Sequence, residues 1–184
     1  MEKKMDKYII LGHANPDIDS IVSGYLLEKL MCKMGYEAEF IIPDSNIDLE
    51  NITICGEYGL NPCDYQKELP NTENNKFILV DHHEREVMGE IVGIIDHHPT
   101  TLNIQIPYYQ NENSSSTSCL ICTEEYEKYF SRNDIELAIL AAMVDTASFH
   151  STKTRKQDIN WAKNLCEKYQ LDFQRAINAV NNAI

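Results

Sequence analysis

The chain has 184 residues, of which 43% are hydrophobic, and a formal net charge of −13 at pH 7. This length supports one hydrophobic core, so we expect residues 1–184 to form a single domain. The acidic balance argues against a broad basic surface for duplex nucleic acid, but it allows a phosphate substrate if divalent cations lie among the acidic groups.

Neither a membrane span nor a secretion signal is expected. The longest apolar stretch, residues 137–144, is far too short to cross a bilayer. The charged N-terminus is followed only by the short apolar run 8–11, which cannot form the core of a signal peptide. We therefore predict a cytoplasmic location, with reduced cysteines at six scattered positions: Cys32, Cys55, Cys63, Cys119, Cys122 and Cys166.

The N-terminal segment predicts a parallel pair of strands joined by a helix. Its elements are a strand at 8–12, a helix at 21–34 and a strand at 37–42. The loop that leaves the first strand carries His13, Asp17 and Asp19. Either Asp19 or Ser20 is expected to cap the helix.

The middle of the chain predicts two more strands, and the same three residues follow each of them. Residues 77–80 and 92–95 are apolar runs, and each is followed by Asp-His-His. A polar linker at 71–75 precedes them. An alternating run at 102–109 follows them and predicts an edge strand.

The last third of the chain is predicted to be helical. Hydroxyl residues at 114–117 would cap a helix that reaches about residue 130. Asn133 and Asp134 would cap the next helix, at 135–144, which is apolar on nearly every side and therefore expected to be buried. Two further helices are predicted at 157–169 and 172–183.

Strands that alternate with helices indicate an α/β fold. We predict three layers, α/β/α, with a mainly parallel twisted sheet. Ligands of such sheets bind outside the carboxyl ends of the strands, and the metal site is expected at that edge. The candidate site residues are His13, Asp17, Asp19, Asp81, Asp96, His97, His98 and Asp145.

Carboxylates and imidazoles without thiolates suit Mn²⁺, Mg²⁺, Co²⁺ or Zn²⁺. Four or more carboxylates at one edge repel one another unless cations lie among them. Two metal ions about 3.5–4 Å apart activate a water molecule and bind a phosphoryl group between them. The pattern therefore predicts a two-metal phosphohydrolase. A structural alternative exists for some of these residues. Asp19 and Ser20 could be helix caps beside an incidental His13, and backbone donors could satisfy Asp145.

Four motifs resemble those of the DHH phosphoesterase superfamily in order and in spacing. They are HANPDIDS from His13, LVDHHE from Leu79, IDHH from Ile95 and VDT from Val144. They look most like the first domain of manganese-dependent (family II) inorganic pyrophosphatases and related exopolyphosphatases. The resemblance runs from Lys7 to near the C-terminus.

The resemblance implies two metal ions that share one ligand. The first ion would be held by His13, Asp17 and Asp81. The second would be held by Asp19, Asp81, His97 and Asp145, so that Asp81 bridges the pair. Mn²⁺ is the implied metal, with two ions per site, and Co²⁺ or Mg²⁺ can use the same ligands.

The resemblance also implies residues that act on the substrate side. His98 would face the substrate phosphate, and Asp96 would orient its neighbours. His83 stands where these pyrophosphatases more often carry Asn. Ser116 and Thr117 lie where the family has a hydroxyl-bearing turn, which could contact phosphate or simply cap a helix.

The resembled pyrophosphatases have a C-terminal domain that brings basic residues onto the phosphates. We expect residues 1–184 to lack that domain. The basic run 151–157 directly follows Asp145 and its neighbours, which favours a solvated turn over a substrate contact. We therefore expect a preformed metal site with weak hydrolysis, unless a partner supplies the second half.

Three functions stay open on the sequence. The first is hydrolysis of a phosphoanhydride such as pyrophosphate or polyphosphate. The second is cleavage of short oligonucleotides or cyclic dinucleotides, for which Tyr108 and Tyr109 could stack on bases. The third is metal binding without turnover in a regulatory or interaction module. The resemblance further implies a homodimer formed through the edge strand, and no membrane or duplex nucleic acid is expected as a partner.

Overall fold

The structure, a computed structural model, describes residues 7–44, 46–71, 75–84, 86–101 and 103–183. Its sheet contains β1 (Lys7–Leu11), β2 (Glu37–Ile41), β3 (Lys76–Val80), β4 (Glu90–Asp96) and β5 (Tyr108–Asn111). The strand order is β2-β1-β3-β4-β5, and every neighbouring pair is parallel. The predicted α/β fold with a parallel sheet is confirmed.

The helices are α1 (Ile18–Lys33), α2 (Leu49–Glu57), α3 (Thr117–Ile121), α4 (Arg132–Asp145), α5 (Lys156–Tyr169) and α6 (Phe173–Ala183). Short 3₁₀ helices lie at Pro62–Tyr65 and Glu127–Tyr129.

Close packing of α1 on β2 depends on Gly24. A Cβ atom at this position would lie only 2.1 Å from the Phe40 ring.

Both faces of the sheet are covered. The larger hydrophobic cluster joins the helices to one face through Ile10, Phe40, Val80 and Ile95. The smaller cluster lies on the other face and contains Ile9, Leu11, Ile41, Phe77, Leu79 and Ile94, with Leu69, Val87, Ile104 and Ile106 of the connecting segments packed against it. Alternate strand residues point to opposite faces, so burial of both faces explains the continuous apolar runs in the sequence.

Helix α1 begins earlier than predicted. Asp17 is its N-cap and accepts a hydrogen bond from the backbone N–H of Ser20 at 2.9 Å. The predicted cap at Asp19 or Ser20 is therefore wrong. Both residues lie instead in the first turn of the helix, where they are buried.

Helix α4 also begins at a different cap. Ser131 is its N-cap and forms a reciprocal capping box with Asp134. The prediction that Asn133 and Asp134 cap this helix was wrong about the cap, although Asp134 takes part in the capping interaction. The helix itself is buried, as predicted.

The single helix predicted from 114 to about 130 does not form. Helix α3 ends at Ile121, and the chain continues through a turn to the 3₁₀ helix Glu127–Tyr129. The carbonyl oxygen of Cys122 accepts a hydrogen bond from the indole N–H of Trp161 at 2.8 Å. This tertiary contact uses a carbonyl group that a continuing helix would need.

The edge strand begins later than predicted. Strand β5 lies at the edge of the sheet beside β4, but it starts at Tyr108, and residue 102 lies outside the described residues. Residues 72–74 of the predicted linker also lie outside them.

No helix among the described residues is both long and apolar enough to span a bilayer. All six cysteines are free, and the cytoplasmic location stays a prediction.

Candidate metal centre

The strand order brings three polar loops together. The chain passes from β1 to β2 on one side and later places β3 on the other side of β1. The strand order reverses between β1 and β3. This reversal creates a crevice at the carboxyl ends of these two strands, where ligands of open α/β sheets bind. His13 follows β1, Asp81 follows β3 and His97 follows β4.

Asp81 lies at the centre of this crevice. Its side chain is 1% exposed, and its backbone has a φ of 65° in the left-handed region. Its N–H donates to the carbonyl oxygen of Ile95 at 2.9 Å. Its Oδ2 lies 3.5 Å from His13 Nε2, and its Oδ1 lies 3.4 Å from His97 Nε2. One carboxylate therefore faces two separate groups of donor atoms.

The first group of donors consists of His13, Asp17 and Asp81, whose ligand atoms lie within 4.8 Å of one another. His13 Nδ1 lies 2.9 Å from the carbonyl oxygen of Ala14 and donates to it. This contact leaves Nε2 directed at the carboxylates, 3.5 Å from Asp17 Oδ1. Asp17 thus caps α1 and also belongs to the donor group.

Gly12 allows this loop to form. The N–H of His13 donates to Ser20 Oγ at 3.1 Å. A Cβ atom on Gly12 would lie 2.1 Å from the same Oγ. The close approach of β1 to the first turn of α1 therefore requires glycine at this position.

The second group of donors is centred on His97. Its Nδ1 lies 3.2 Å from the carbonyl oxygen of Ser114, which leaves Nε2 facing three carboxylates. The distances from Nε2 are 3.4 Å to Asp81, 3.5 Å to Asp145 and 3.9 Å to Asp19. His98 joins Asp81 and His97 in a second set of ligand atoms within 4.8 Å of one another.

These distances suit ligands of a shared cation. At 3.4–3.5 Å the nitrogen and oxygen atoms are too far apart for good hydrogen bonds. Two ligand atoms each about 2.1 Å from one ion are roughly 3.0–3.4 Å apart at octahedral or tetrahedral angles. Asp145 Oδ2 is also buried without a hydrogen-bond partner among the residues that the structure describes. The residues therefore fit a centre for divalent cations.

The neighbouring carboxylates raise the pKa of both His13 and His97. The nearby carboxylates of Asp17 and then of Asp81 raise the pKa of His13 to about 11. Burial lowers the pKa of His97, but Asp81 and the neighbouring carboxylates outweigh it and raise the pKa to about 9. A divalent cation would take the place of the Nε2 proton in each ring.

For the buried carboxylates, burial and the neighbouring histidines shift the pKa in opposite directions. Burial raises the pKa of Asp19 and of Asp145, and the charge of Asp81 adds to both effects. Burial also raises the pKa of Asp81, but the neighbouring His13 and His97 rings outweigh it and lower the pKa. Such crowded negative charge is what bound divalent cations neutralise.

Asp19 is held by the N-terminal end of α3. Its Oδ2 accepts from Thr117 N at 2.7 Å, and its Oδ1 accepts from Ser118 N at 3.1 Å. Ser23 Oγ donates to the same Oδ1 at 3.4 Å. The structure thus places Asp19 and Asp145 beside His97. Neither residue belongs to the two sets of ligand atoms that lie within 4.8 Å of one another.

Asp96 holds two histidine rings and is itself fully buried. Its Oδ1 accepts from His98 Nδ1 at 2.9 Å, and its Oδ2 accepts from His83 Nδ1 at 2.6 Å. Burial raises the pKa of Asp96, but the hydrogen bonds from His98 and His83 outweigh it and lower the pKa. The side chain of His98 is 42% exposed, so its other ring nitrogen remains available at the crevice.

Two residues near the centre have contacts that the sequence pattern did not resolve. Thr117 Oγ1 donates to Asp81 Oδ1 at 3.0 Å, whereas Ser116 caps α3, as the helix-cap alternative predicts. Lys153 is 56% exposed, and its Nζ lies 3.6 Å from Asp145 Oδ1. The residue types alone carry no signal for the pairing of Thr117 with Asp81, because these residues lie 36 positions apart in the chain.

Comparisons with known proteins identify the family of the chain. Residues 7–144 match a family model described as the N-terminal domain of the DHH family. A Clostridium acetobutylicum protein named "Probable manganese-dependent inorganic pyrophosphatase" is 32% identical over 184 residues, covering 92% of this chain and 57% of that protein. The manganese-dependent inorganic pyrophosphatase of Bacillus subtilis is 29% identical over 186 residues, covering 92% and 58%.

The fold is also found among solved structures. A candidate family II inorganic pyrophosphatase from Methanococcus jannaschii matches with a TM-score of 0.75 at 23% identity, covering 96% of this chain and 60% of that one. The chain spans a little more than half the length of the curated relatives that it matches. Because the family model extends from β1 nearly to the end of α4, the chain belongs to the DHH family and corresponds to its N-terminal domain.

Proposed function

We propose that the chain hydrolyses phosphoanhydride bonds, in pyrophosphate or short polyphosphates, at a centre of two divalent cations. The observation that carries this proposal is the position of Asp81, whose two carboxylate oxygens face separate histidines at 3.5 Å and 3.4 Å. A carboxylate that faces two separate donor groups can bridge a pair of ions. The names of the relatives support pyrophosphate as the substrate and Mn²⁺ as the metal.

The protein residues have distinct tasks in this proposal. His13, Asp17 and Asp81 would hold one ion, and Asp19, Asp81, His97 and Asp145 would hold the other. Two bound ions supply a nucleophile at neutral pH and a positive field for a phosphoryl group. Co²⁺ and Mg²⁺ accept the same types of ligand.

His98 is the proposed contact with the substrate. Asp96 accepts the Nδ1 proton at 2.9 Å, so the other ring nitrogen of His98 donates a hydrogen bond to a phosphoryl oxygen in the imidazolium form, in which both nitrogens carry protons. Asp96 fixes the ring and thus acts through His98. His83 contacts the same carboxylate at 2.6 Å and stiffens this arrangement from the opposite side.

We propose that hydrolysis by this chain alone is slow. The centre is open to solvent, since the side chain of Asp17 is 56% exposed and that of His98 is 42% exposed. Exclusion of water strengthens the electrostatic interactions that stabilise a transition state. A further protein segment that contributes cationic groups would therefore increase the rate.

The test is release of phosphate from pyrophosphate with added Mn²⁺, together with analysis of bound metal. We expect slow release that depends on Mn²⁺ and is lost in Asp81→Ala, while the exposed control Asp64→Ala keeps the wild-type rate. Tripolyphosphate, a linear dinucleotide and a cyclic dinucleotide are compared in the same assay. Preference for a dinucleotide, or bound metal without release from any substrate, would contradict the proposed activity.

We further propose that two copies of the chain pair along β5. This strand lies at the edge of the sheet, and the side chains of Tyr108 and Tyr109 are 53% and 36% exposed. An edge strand offers unpaired backbone groups to a second chain. The exposed aromatic side chains would add apolar contact to that interface.

A further inference from the structure

One buried loop supports three of the candidate ligands of the second ion. We call residues 114–118 the serine loop; every one of its residues is buried. The carbonyl oxygen of Ser114 accepts from His97 Nδ1, and the backbone N–H groups of Thr117 and Ser118 donate to Asp19. The Thr117 hydroxyl donates to Asp81. The orientation of this ligand group therefore depends on the position of the loop.

The serine loop is held in turn by a carboxylate of α5. Asp158 is 5% exposed and lies in the first turn of that helix. Its Oδ2 accepts from Ser115 N at 2.7 Å and from Ser115 Oγ at 2.5 Å, and its Oδ1 accepts from Ser114 Oγ at 3.4 Å. Hydrogen bonds to an ionised acceptor are the stronger kind.

The two ligand groups differ in how they are supported. His13 and Asp17 are held by contacts with Ala14 and Ser20, one and three positions away in the chain. His97 and Asp19 are held by residues of the serine loop, 17 or more positions away. A change at Asp158 should therefore affect mainly the group that contains His97, because the serine loop contacts the other group only through the shared Asp81.

We propose that Asp158 is a positioning residue that sets the geometry of the second metal group through the serine loop; the inference rests on the proposed metal centre. Asp158 touches neither ion nor substrate. It fixes the Ser114 carbonyl group that orients the His97 ring, and it fixes the amide groups that hold Asp19. Loss of a residue that hydrogen-bonds a metal ligand directly weakens metal binding by about 10- to 100-fold, and Asp158 acts one contact further away, so we expect a loss of up to about 10-fold.

The chain contains a matched control for a purely structural role. Asp134 is 3% exposed and also lies in the first turn of a helix. It accepts from Ser131 N at 2.6 Å and from Ser131 Oγ at 2.7 Å, the same pair of contacts that Asp158 makes with Ser115. Its hydrogen bonds reach none of the candidate ligands.

The experiment compares Asp158→Asn with Asp134→Asn in Mn²⁺ titrations followed by electron paramagnetic resonance. For Asp158→Asn we expect affinity for one class of site to fall by up to about 10-fold, with a smaller loss or none in the other class. For Asp134→Asn we expect a lower melting temperature and unchanged affinity in both classes. Equal losses in both classes, or no loss in Asp158→Asn, would overturn the proposal.

A second measurement needs neither metal nor turnover. In the metal-free protein, nitrogen NMR of the imidazole rings should show changed His97 signals in Asp158→Asn and unchanged His13 signals. If Asp158→Asn does not fold, Ser115→Ala removes one of the same hydrogen bonds and should show the same selectivity to a smaller degree. Equal changes at both histidines, or none, would overturn the role of Asp158. Selective changes in a protein that never hydrolyses pyrophosphate would support that role and refute only the proposed activity.

Discussion

At the scale of single residues, Asp81 and Asp17 should differ in how many ions they hold. Asp81 faces both histidines, whereas Asp17 faces His13 alone. We predict that Asp81→Asn abolishes binding of both Mn²⁺ ions and that Asp17→Asn abolishes one. Asn is a good N-cap, so the second variant should keep the start of α1 intact.

The measurement for this prediction is the number of Mn²⁺ ions retained per chain after equilibrium dialysis. The exposed Asp64→Asn variant serves as a control for the loss of one negative charge. Loss of one ion in both ligand variants would show that Asp81 does not bridge. Retention of both ions in Asp81→Asn would remove the basis of the two-metal proposal.

The sequence identifies candidate ligands more readily than the residues that support them. Asp81 and His97 are conspicuous because each follows an apolar strand. His83 and Thr117 give no comparable signal, since their partners Asp96 and Asp81 lie 13 and 36 positions away. Sequence patterns report local periodicity, whereas these hydrogen bonds depend on how the strands and helices are packed.

At the scale of helices, Asp134 ties α4 to α1. Its carboxylate accepts from Tyr25 Oη at 2.6 Å and from Lys29 Nζ at 2.5 Å, in addition to its bonds with Ser131. We predict that Asp134→Asn lowers the free energy of unfolding at pH 7 by about 1–3 kcal/mol, because a capping interaction and a buried ion pair are weakened. Urea unfolding with a chelator present would measure this loss without any contribution from metal.

The same substitution predicts a pH dependence with a definite sign. Burial raises the pKa of Asp134, but Lys29, Tyr25 and Ser131 outweigh it, so the pKa in the folded state is lower than the ordinary 3.8. The ionised group therefore stabilises the fold above that ordinary value, and this contribution is lost as the pH falls through the lowered pKa. The stability difference between wild type and Asp134→Asn should shrink in this acid range. A difference that grew with acidification would contradict the assignment.

Helix ends show where sequence reasoning reaches its limit. Ser131 and Asp134 have the spacing of a capping box, although the sequence prediction placed the cap at Asn133 and Asp134. The end of α3 has no such signal. Helix α3 ends beside Cys122, whose carbonyl group accepts a hydrogen bond from Trp161, 39 positions later in the chain. Propensity alone therefore predicts one long helix where tertiary contacts produce two short ones.

Strand β5 gives a prediction about assembly. If two copies pair along this edge, Tyr109→Lys should place a charge in the interface and shift the protein toward monomer. The matched control is Leu49→Lys, because Leu49 is 77% exposed and lies on α2, away from the sheet edge. Light scattering after size-exclusion chromatography would measure both variants. A wild type that is monomeric at all concentrations tested would refute the proposed pairing.

At the scale of the whole molecule, the strand order explains why the candidate site could be predicted from a linear pattern. Parallel strands place their carboxyl ends at one edge, so loops after β1, β3 and β4 converge even though the residues are far apart in sequence. The pattern does not determine how the carboxylates divide between two histidines. That division depends on the left-handed backbone of Asp81 and on the serine loop.

The crowded carboxylates lead us to predict that metal binding stabilises the whole fold. Burial and mutual repulsion raise the pKa of Asp19 and of Asp145, so the site stores unfavourable charge that a bound cation relieves. A ligand that binds only the folded state at 100 times its dissociation constant stabilises that state by about 2.7 kcal/mol per site. For a chain of this size we therefore predict that Mn²⁺ raises the melting temperature by about 5–10 °C per occupied site. Calorimetric scans with Mn²⁺ or with chelator would measure the shift, and Asp81→Ala should show none. An equal shift in that variant would place the stabilising cation elsewhere on the acidic surface.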